Sequence, residues 1–385
     1  MDRLTNTIRP YAWGSTTAIP KLFGVEPTGE PQAEMWMGAH SGAPSRIDRG
    51  NGETALSDVI AADPDGELGA ATVAKFGTRL PFLFKVLAAG APLSLQVHPD
   101  RAQARAGFED EERRGVPIDA AHRNYKDPNH KPEMLCALTP FDGLCGFRPP
   151  QQAADLIEGL GVRSLKPYAD LLRAHPEDAA LREVLTAVLT ADREEMAHTV
   201  TEAAAAAERL GGAYTPYASL VHDYPGDPGV IAAMLLNPFR LQPGEAVFLG
   251  AGVPHAYVQG LGVELLANSD NVLRAGLTPK HVDVPELLKI VKFEPGDPHV
   301  LRPEGDGEEV YETPIDEFRL SRFVLPPGAA PRSLPADTPQ ILLCTSGSPR
   351  LGELTLAPGE SVWVRAGEKS ELFGTGTVFR ATVVI

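Results

Sequence analysis

Residues 93–100 read Leu-Ser-Leu-Gln-Val-His-Pro-Asp, and within them Gln96 and His98 are of types that can share a metal ion. Apolar and polar residues alternate from Leu93 to His98, the pattern of a strand with one buried and one open face. Side chains two positions apart project together, so Ser94, Gln96 and His98 share a face opposite Leu93, Leu95 and Val97. Pro99 then ends the ladder. An ordinary solvent-facing strand edge is the plainer reading of these eight residues. Glu133 opens a later strand, and His255 follows a Pro-Gly turn and a further strand. Together with Gln96 and His98 they make a nitrogen and oxygen donor set suited to zinc or another first-row divalent ion. Neutral imidazoles, a neutral amide and one carboxylate leave such a centre positive, a Lewis acid for a sugar hydroxyl or carbonyl.

A second stretch, residues 262–280, carries a Ser269-Asp270-Asn271 turn, then Arg274 and a loop ending at Lys280. It could be a polar surface loop. Alternatively, Arg274 and Lys280 suit a phosphate or a developing oxyanion, the arginine through its planar fork. Residues 80–87 form an apolar run broken by Lys85. Buried lysines are rare without a partner, so Lys85 is either an edge charge or is held inward for a reason.

Short strands and loops are expected from residue 1 to 149, with a strand over 32–38, helices over 54–61 and 67–76, and a strand over 130–138. Residues 101–130 read as a helix and then a loop. From 150 to 235 apolar residues fall at helical spacing, with Leu181, Val184, Leu185, Val188 and Leu189 on one stripe. Asp192 and Glu195 resemble a reciprocal helix cap. The block offers few ligands and reads as an inserted helical domain serving as structural cover. Strand texture returns at 236, and here the chain repeats itself. Residues 241–252 (LQPGEAVFLGAG) match residues 356–367 (LAPGESVWVRAG) in register. A Pro-Gly turn feeding a strand suits a double-sheet jelly roll, and two copies suggest two of them. His255 follows the first copy, whereas Lys369 and Ser370 stand at the matching positions of the second. The expected division is 1–149 with 236–300 as a catalytic jelly roll, 150–235 as the helical insertion, and 301–385 as a jelly roll without a metal site.

The chain has 385 residues, with 35 basic and 51 acidic side chains and a net charge of −16. That balance argues against nucleic acid or an anionic membrane as partner. Cys136, Cys145 and Cys344 show no metal-type spacing, and an odd count argues against a disulfide scaffold. No apolar run approaches membrane-spanning length, and the first residues lack the apolar core of a signal peptide. The expected compartment is the cytoplasm.

Residues 93–100, 129–133, 252–257 and 269–280 together resemble the type I mannose-6-phosphate isomerases. The likeness extends to Tyr11-Ala12-Trp13-Gly14, to residues 80–87, to the helical insertion and to the trailing β-domain. It implies a mainly β fold of two cupin-type jelly rolls with an inserted α-helical domain. It implies one zinc ion per chain on Gln96, His98, Glu133 and His255, and interconversion of mannose 6-phosphate and fructose 6-phosphate through a cis-enediol(ate). On that reading Arg274 stabilises the intermediate, and Ser94 and Lys280 hold the phosphate. Lys131, His130, Glu264 and Lys85 are candidates for moving or orienting the proton. The expected partner is a phosphorylated hexose, acted on by a monomer. A cupin iron dioxygenase and a non-catalytic sugar-binding cupin are the competing readings.

Overall fold

The strand His255–Ala267 is where the two halves of the larger sheet meet. The computed structural model describes residues 1–174, 176–303 and 307–385. The C-terminal part of that strand lies between Phe82–Ala89 and Glu133–Ala137, antiparallel to both. Its N-terminal part pairs instead with Phe141–Phe147 and, at His255, with Gln96. The change of partners coincides with a register shift between Tyr257 and Gln259. Gly260, at φ 138°, permits it: a Cβ there would stand 2.6 Å from the Phe141 ring. The chain thereby folds its sheet over on itself, with room for a site between the two halves. Among the described residues eleven strands form this sheet, Ala246–Leu249, Glu34–Met37 and Thr7–Arg9 included.

Register decides which side chains face inward. Cross-strand partners share a face, and Lys85 stands opposite both Glu264 and Trp36. Leu266 stands opposite Glu133, and Leu135 opposite Glu264. One face of the sheet therefore carries Glu34, Trp36, Lys85, Glu133 and Glu264 among leucines. The other carries Met35, Phe84, Val86, Met134, Cys136, Val263 and Leu265, which share a core with Trp363, Phe379 and Leu343 of the second sheet. Phe82–Ala89 is buried along its whole length because both faces are covered. Each of its large apolar side chains contributes about 1.5–3 kcal/mol in leaving water.

The second sheet has eight strands among the described residues, mostly drawn from 308–382. Asp2–Arg3 also joins it, with Asp2 opposite Trp363. The sequence reading placed these first residues with the other sheet. Arg49 and Glu67 secure the seam: Glu67 is 2 % exposed and accepts bonds from Arg49 at 2.6 Å and from the Trp363 indole at 2.8 Å. The two Pro-Gly turns of the repeat are chemically alike. Glu245 accepts from the Gln242 amide at 2.8 Å, and Glu360 from the Ala357 amide at 2.8 Å. Gly244 and Gly359 take up φ 90° and 87°, as this turn requires.

A block of helices runs from Pro150–Gly159 to Gly229–Ala233. Leu181, Val184, Leu185 and Val188 bury their stripe in one core with Val97 and Leu273 of the sheet and with Leu95 and Leu277 of the segments beside it. Asp192 caps the helix Arg193–Leu210 through the amides of Glu194 and Glu195. The reciprocal form of cap is instead complete at Asp100 and Gln103, which start Arg101–Arg113.

Candidate metal centre

His98, Glu133 and His255 come from three separate strands or strand ends, and one ligand atom from each lies within 4.8 Å of the others. The Nε2 atoms of His98 and His255 stand 3.3 and 3.6 Å from the Glu133 carboxylate. Each ring is held from behind, His98 Nδ1 2.8 Å from the Asn271 carbonyl and His255 Nδ1 2.9 Å from that of Val253. A carbonyl behind Nδ1 selects the tautomer whose Nε2 lone pair faces the centre. Burial, against the pull of Glu133, lowers His98 to about 4, so its imidazole is neutral at neutral pH. Burial alone would push the Glu133 carboxyl up, but Lys131 and the two imidazoles hold it well below the usual carboxylate range. His98 Nε2, His255 Nε2 and Glu133 Oε2 are buried without a hydrogen-bond partner. Such atoms are costly unless something neutralises them, and a divalent cation fits that donor set.

Gln96 is the cross-strand neighbour of His255 and faces open space. The strand Gln96–Val97 is short, because Leu93 and Leu95 spend their amides on separate carbonyls, those of Tyr257 and Gly276. The alternation nevertheless holds, with Leu95 and Val97 in the core. Gln96 lies opposite His255 on one side and Arg274 on the other. It lines a cavity of about 780 Å³ with Ser94, Arg274, Lys280, Trp13 and Tyr11. Burial lowers the Arg274 pKa, and burial with Arg274 beside it lowers that of Lys280. Two cations thus face one half-open cavity, neither paired to a carboxylate among the described residues, an arrangement that suits an anionic group.

Behind the centre lies a buried charge network. Lys85 Nζ is 3.1 Å from Glu264 and 3.3 Å from Glu34, and it sits over the Trp36 ring at 5.2 Å. Despite its burial, the surrounding carboxylates raise the Lys85 pKa, so it stays a cation. Glu264 is pushed up to about 7, by burial foremost and by Glu133 and Glu34 against Lys85. Lys131 reaches the centre at 3.0 Å from Glu133. His130, its neighbour, turns the other way and pairs with Glu317 at 2.8 Å, so it does not join the other candidates. The helical block does more than cover: Asp223, Tyr224, Pro225 and Asp227 form one wall of the cavity.

Residues 1–150 match the family model for the phosphomannose isomerase type I catalytic domain. The chain is 41 % identical to mannose-6-phosphate isomerase of Escherichia coli strain K12 over 378 residues, 96 % of this chain and 95 % of that one. A lysine-to-alanine variant of phosphomannose isomerase from Salmonella typhimurium superposes with a TM-score of 0.93 at 39 % identity, with all of both chains covered. A zinc-bound mannose 6-phosphate isomerase gives a TM-score of 0.91 at 38 % identity, covering 100 % of this chain and 99 % of that one. The chain belongs to the type I phosphomannose isomerases.

In this member of the phosphomannose isomerases, several residues of the site had no signal strong enough to single them out in the sequence. Glu34 was the detectable one, a charge inside an apolar strand like Lys85 and its natural counterion. His40 pairs with Asp270 at 3.2 Å and packs edge-on against Trp36. Asn271 is fully buried and bonds to the 126–129 loop through both ends of its amide. The Tyr257 hydroxyl is buried without a hydrogen-bond partner.

Proposed function

We propose that this enzyme interconverts mannose 6-phosphate and fructose 6-phosphate through a cis-enediol(ate), using one zinc ion held by Gln96, His98, Glu133 and His255. The observation that carries this reading is the set of orphaned ligand atoms from three segments, set beside a cavity whose unpaired cations are Arg274 and Lys280. When bound, zinc supplies positive charge to the carbonyl and hydroxyl oxygens of the sugar. Ser94 and Lys280 hold the phosphate at the open end of the cavity. That leaves C1 and C2 near Gln96, between Arg274 and the buried centre. Removing the C2 proton moves charge onto the carbonyl oxygen, and the Arg274 guanidinium is fixed on the strand beside Gln96 to meet it. Lys131 is the proton-transfer candidate with both reach and access. Lys85, tied to two carboxylates, keeps its proton and orients Glu264, which holds or releases one near neutral pH.

Two cupin-type jelly rolls, divided at about residue 300, account for the repeated Pro-Gly-Glu turn, with helices inserted over 150–235. The proposed working unit is the monomer. Cys136, Cys145 and Cys344 are buried free thiols, which agrees with a reducing cytoplasm. No helix among the described residues is long and apolar enough to cross a membrane.

The test is purified protein with mannose 6-phosphate in deuterated water, with a coupled assay for fructose 6-phosphate and metal analysis alongside. Turnover lost to a chelator and restored by zinc is expected, with deuterium entering the product. Oxygen uptake with bound iron, or turnover unaffected by metal removal, overturns the reading.

A further inference from the structure

Just before its last helix, Gly229–Ala233, the helical block makes a turn, residues 224–228, whose carboxylate is committed to a different part of the chain. Asp227 Oδ1 accepts from the amides of Gly229 at 2.7 Å and Leu277 at 3.0 Å. Its Oδ2 accepts from the Thr278 amide at 3.0 Å. Leu277 and Thr278 lie midway between Arg274 and Lys280, the two cations of the cavity. We infer that Asp227 is a positioning residue, which holds the 274–280 loop in the one shape that aims Lys280 at the phosphate of the substrate while Arg274 faces its reacting end.

Three further observations show that this shape is imposed. Leu277 has φ 54°, the only non-glycine at positive φ among the described residues. A leucine does not adopt that conformation unaided, and here its amide is bonded to Asp227 while its side chain is fully buried. Gly276, at φ 116°, lies against Gly229 so closely that a Cβ would stand 2.4 Å from the Gly229 Cα. The start of the loop is fixed separately, by the Ala275 amide on the Leu95 carbonyl at 2.8 Å and the Leu95 amide on that of Gly276 at 3.1 Å. Arg274 is thus set by the sheet, whereas Lys280 is set by what holds residues 277 and 278. On the other side of the turn, the Tyr224 hydroxyl bonds the Pro92 carbonyl at 2.7 Å, which ties the turn to the segment that leads through Ser94 into the strand at Gln96. The helical insertion therefore fixes the distance between the anion-holding end of the cavity and the metal centre.

The inference rests on the isomerase reading, in which Arg274 and Lys280 hold the substrate. It is tested with Asp227→Ala and Asp227→Asn in the zinc-loaded full-length enzyme. Asn keeps an oxygen for Gly229 and Leu277 but sets an NH2 against the Thr278 amide. The KM for mannose 6-phosphate should rise roughly 10- to 100-fold in Asp227→Ala and about fivefold in Asp227→Asn. Inhibition by inorganic phosphate should weaken in step, with zinc content unchanged. A merely structural role would lower the melting temperature and the active fraction while leaving KM and phosphate inhibition as they are, and that result overturns the inference. If Asp227→Ala does not fold, Asp227→Asn decides alone. If the unsubstituted enzyme does not isomerise, the isomerase reading falls by itself. Titration of inorganic phosphate into the wild type and Asp227→Asn then still settles the clamp, equal affinity overturning it.

Discussion

Among the described residues no carboxylate pairs with Arg274, so its charge is available to a reacting oxygen, and its removal should be felt in the chemical step. Arg274→Ala should lower kcat by roughly 10²–10³-fold while leaving zinc content intact; near-normal turnover in a metal-replete variant removes the role. His255 presents an orphaned Nε2 beside that of His98 and the Glu133 carboxylate. His255→Ala should therefore lose metal and activity together, measured by metal analysis of the purified protein. An active, metal-replete His255→Ala would reject the ligand set. The residues legible in the sequence were those that broke a local pattern: a histidine and an amide alternating with leucines, and a lysine inside an apolar strand. His130 was legible only by adjacency to Lys131. Consecutive side chains of extended backbone point opposite ways, and that sent His130 to Glu317 while Lys131 reached Glu133.

Among the elements, the loops at the strand ends govern the centre. Asn271 bonds the amides of Lys126 and Asp127 and the carbonyls of Asp127 and Asn129, and its own carbonyl stands behind His98 Nδ1. Asn271→Ala leaves those buried backbone groups unpaired. The expected cost is about 2 kcal/mol or more in denaturant unfolding, with zinc affinity lower by roughly 10- to 100-fold as His98 loses its orientation. Unchanged stability and affinity would show that this loop does not support the ligand. The Ser-Asp-Asn motif thus stood out as polar in the sequence, but its work is done toward a loop some 140 positions earlier. The helices were legible from periodicity and caps. Their contribution of Asp227 to the cavity was not, because a lone Asp in a Pro-Gly-rich turn has the composition of any surface turn.

Across the whole molecule, the metal-centre sheet and the C-terminal sheet meet at polar seams as well as through their shared core. Burial would raise the Glu317 carboxyl, but His130 and Arg101 hold it down to about 2. Its folded pKa lies below its unfolded one, so the unfolded chain takes up the proton more readily. The stabilisation is full above about pH 4.5 and is lost as the pH falls toward 2. Glu317→Gln should flatten the acid limb of the stability curve in that window while lowering stability at neutral pH. An acid limb identical to wild type would show that the seam does not contribute.

The sequence by itself determined the local rules: alternation that faces Gln96 with His98, paired Pro-Gly turns, a helical block between two β regions, and a donor set whose types suit a divalent ion. Only the tertiary structure decided who stands beside whom. Period-two alternation assigns a face but not a neighbour. The register placing Gln96 between His255 and Arg274, the second carboxylate on Lys85, and the reach of Asp227 across fifty positions all depend on contacts that no local pattern encodes.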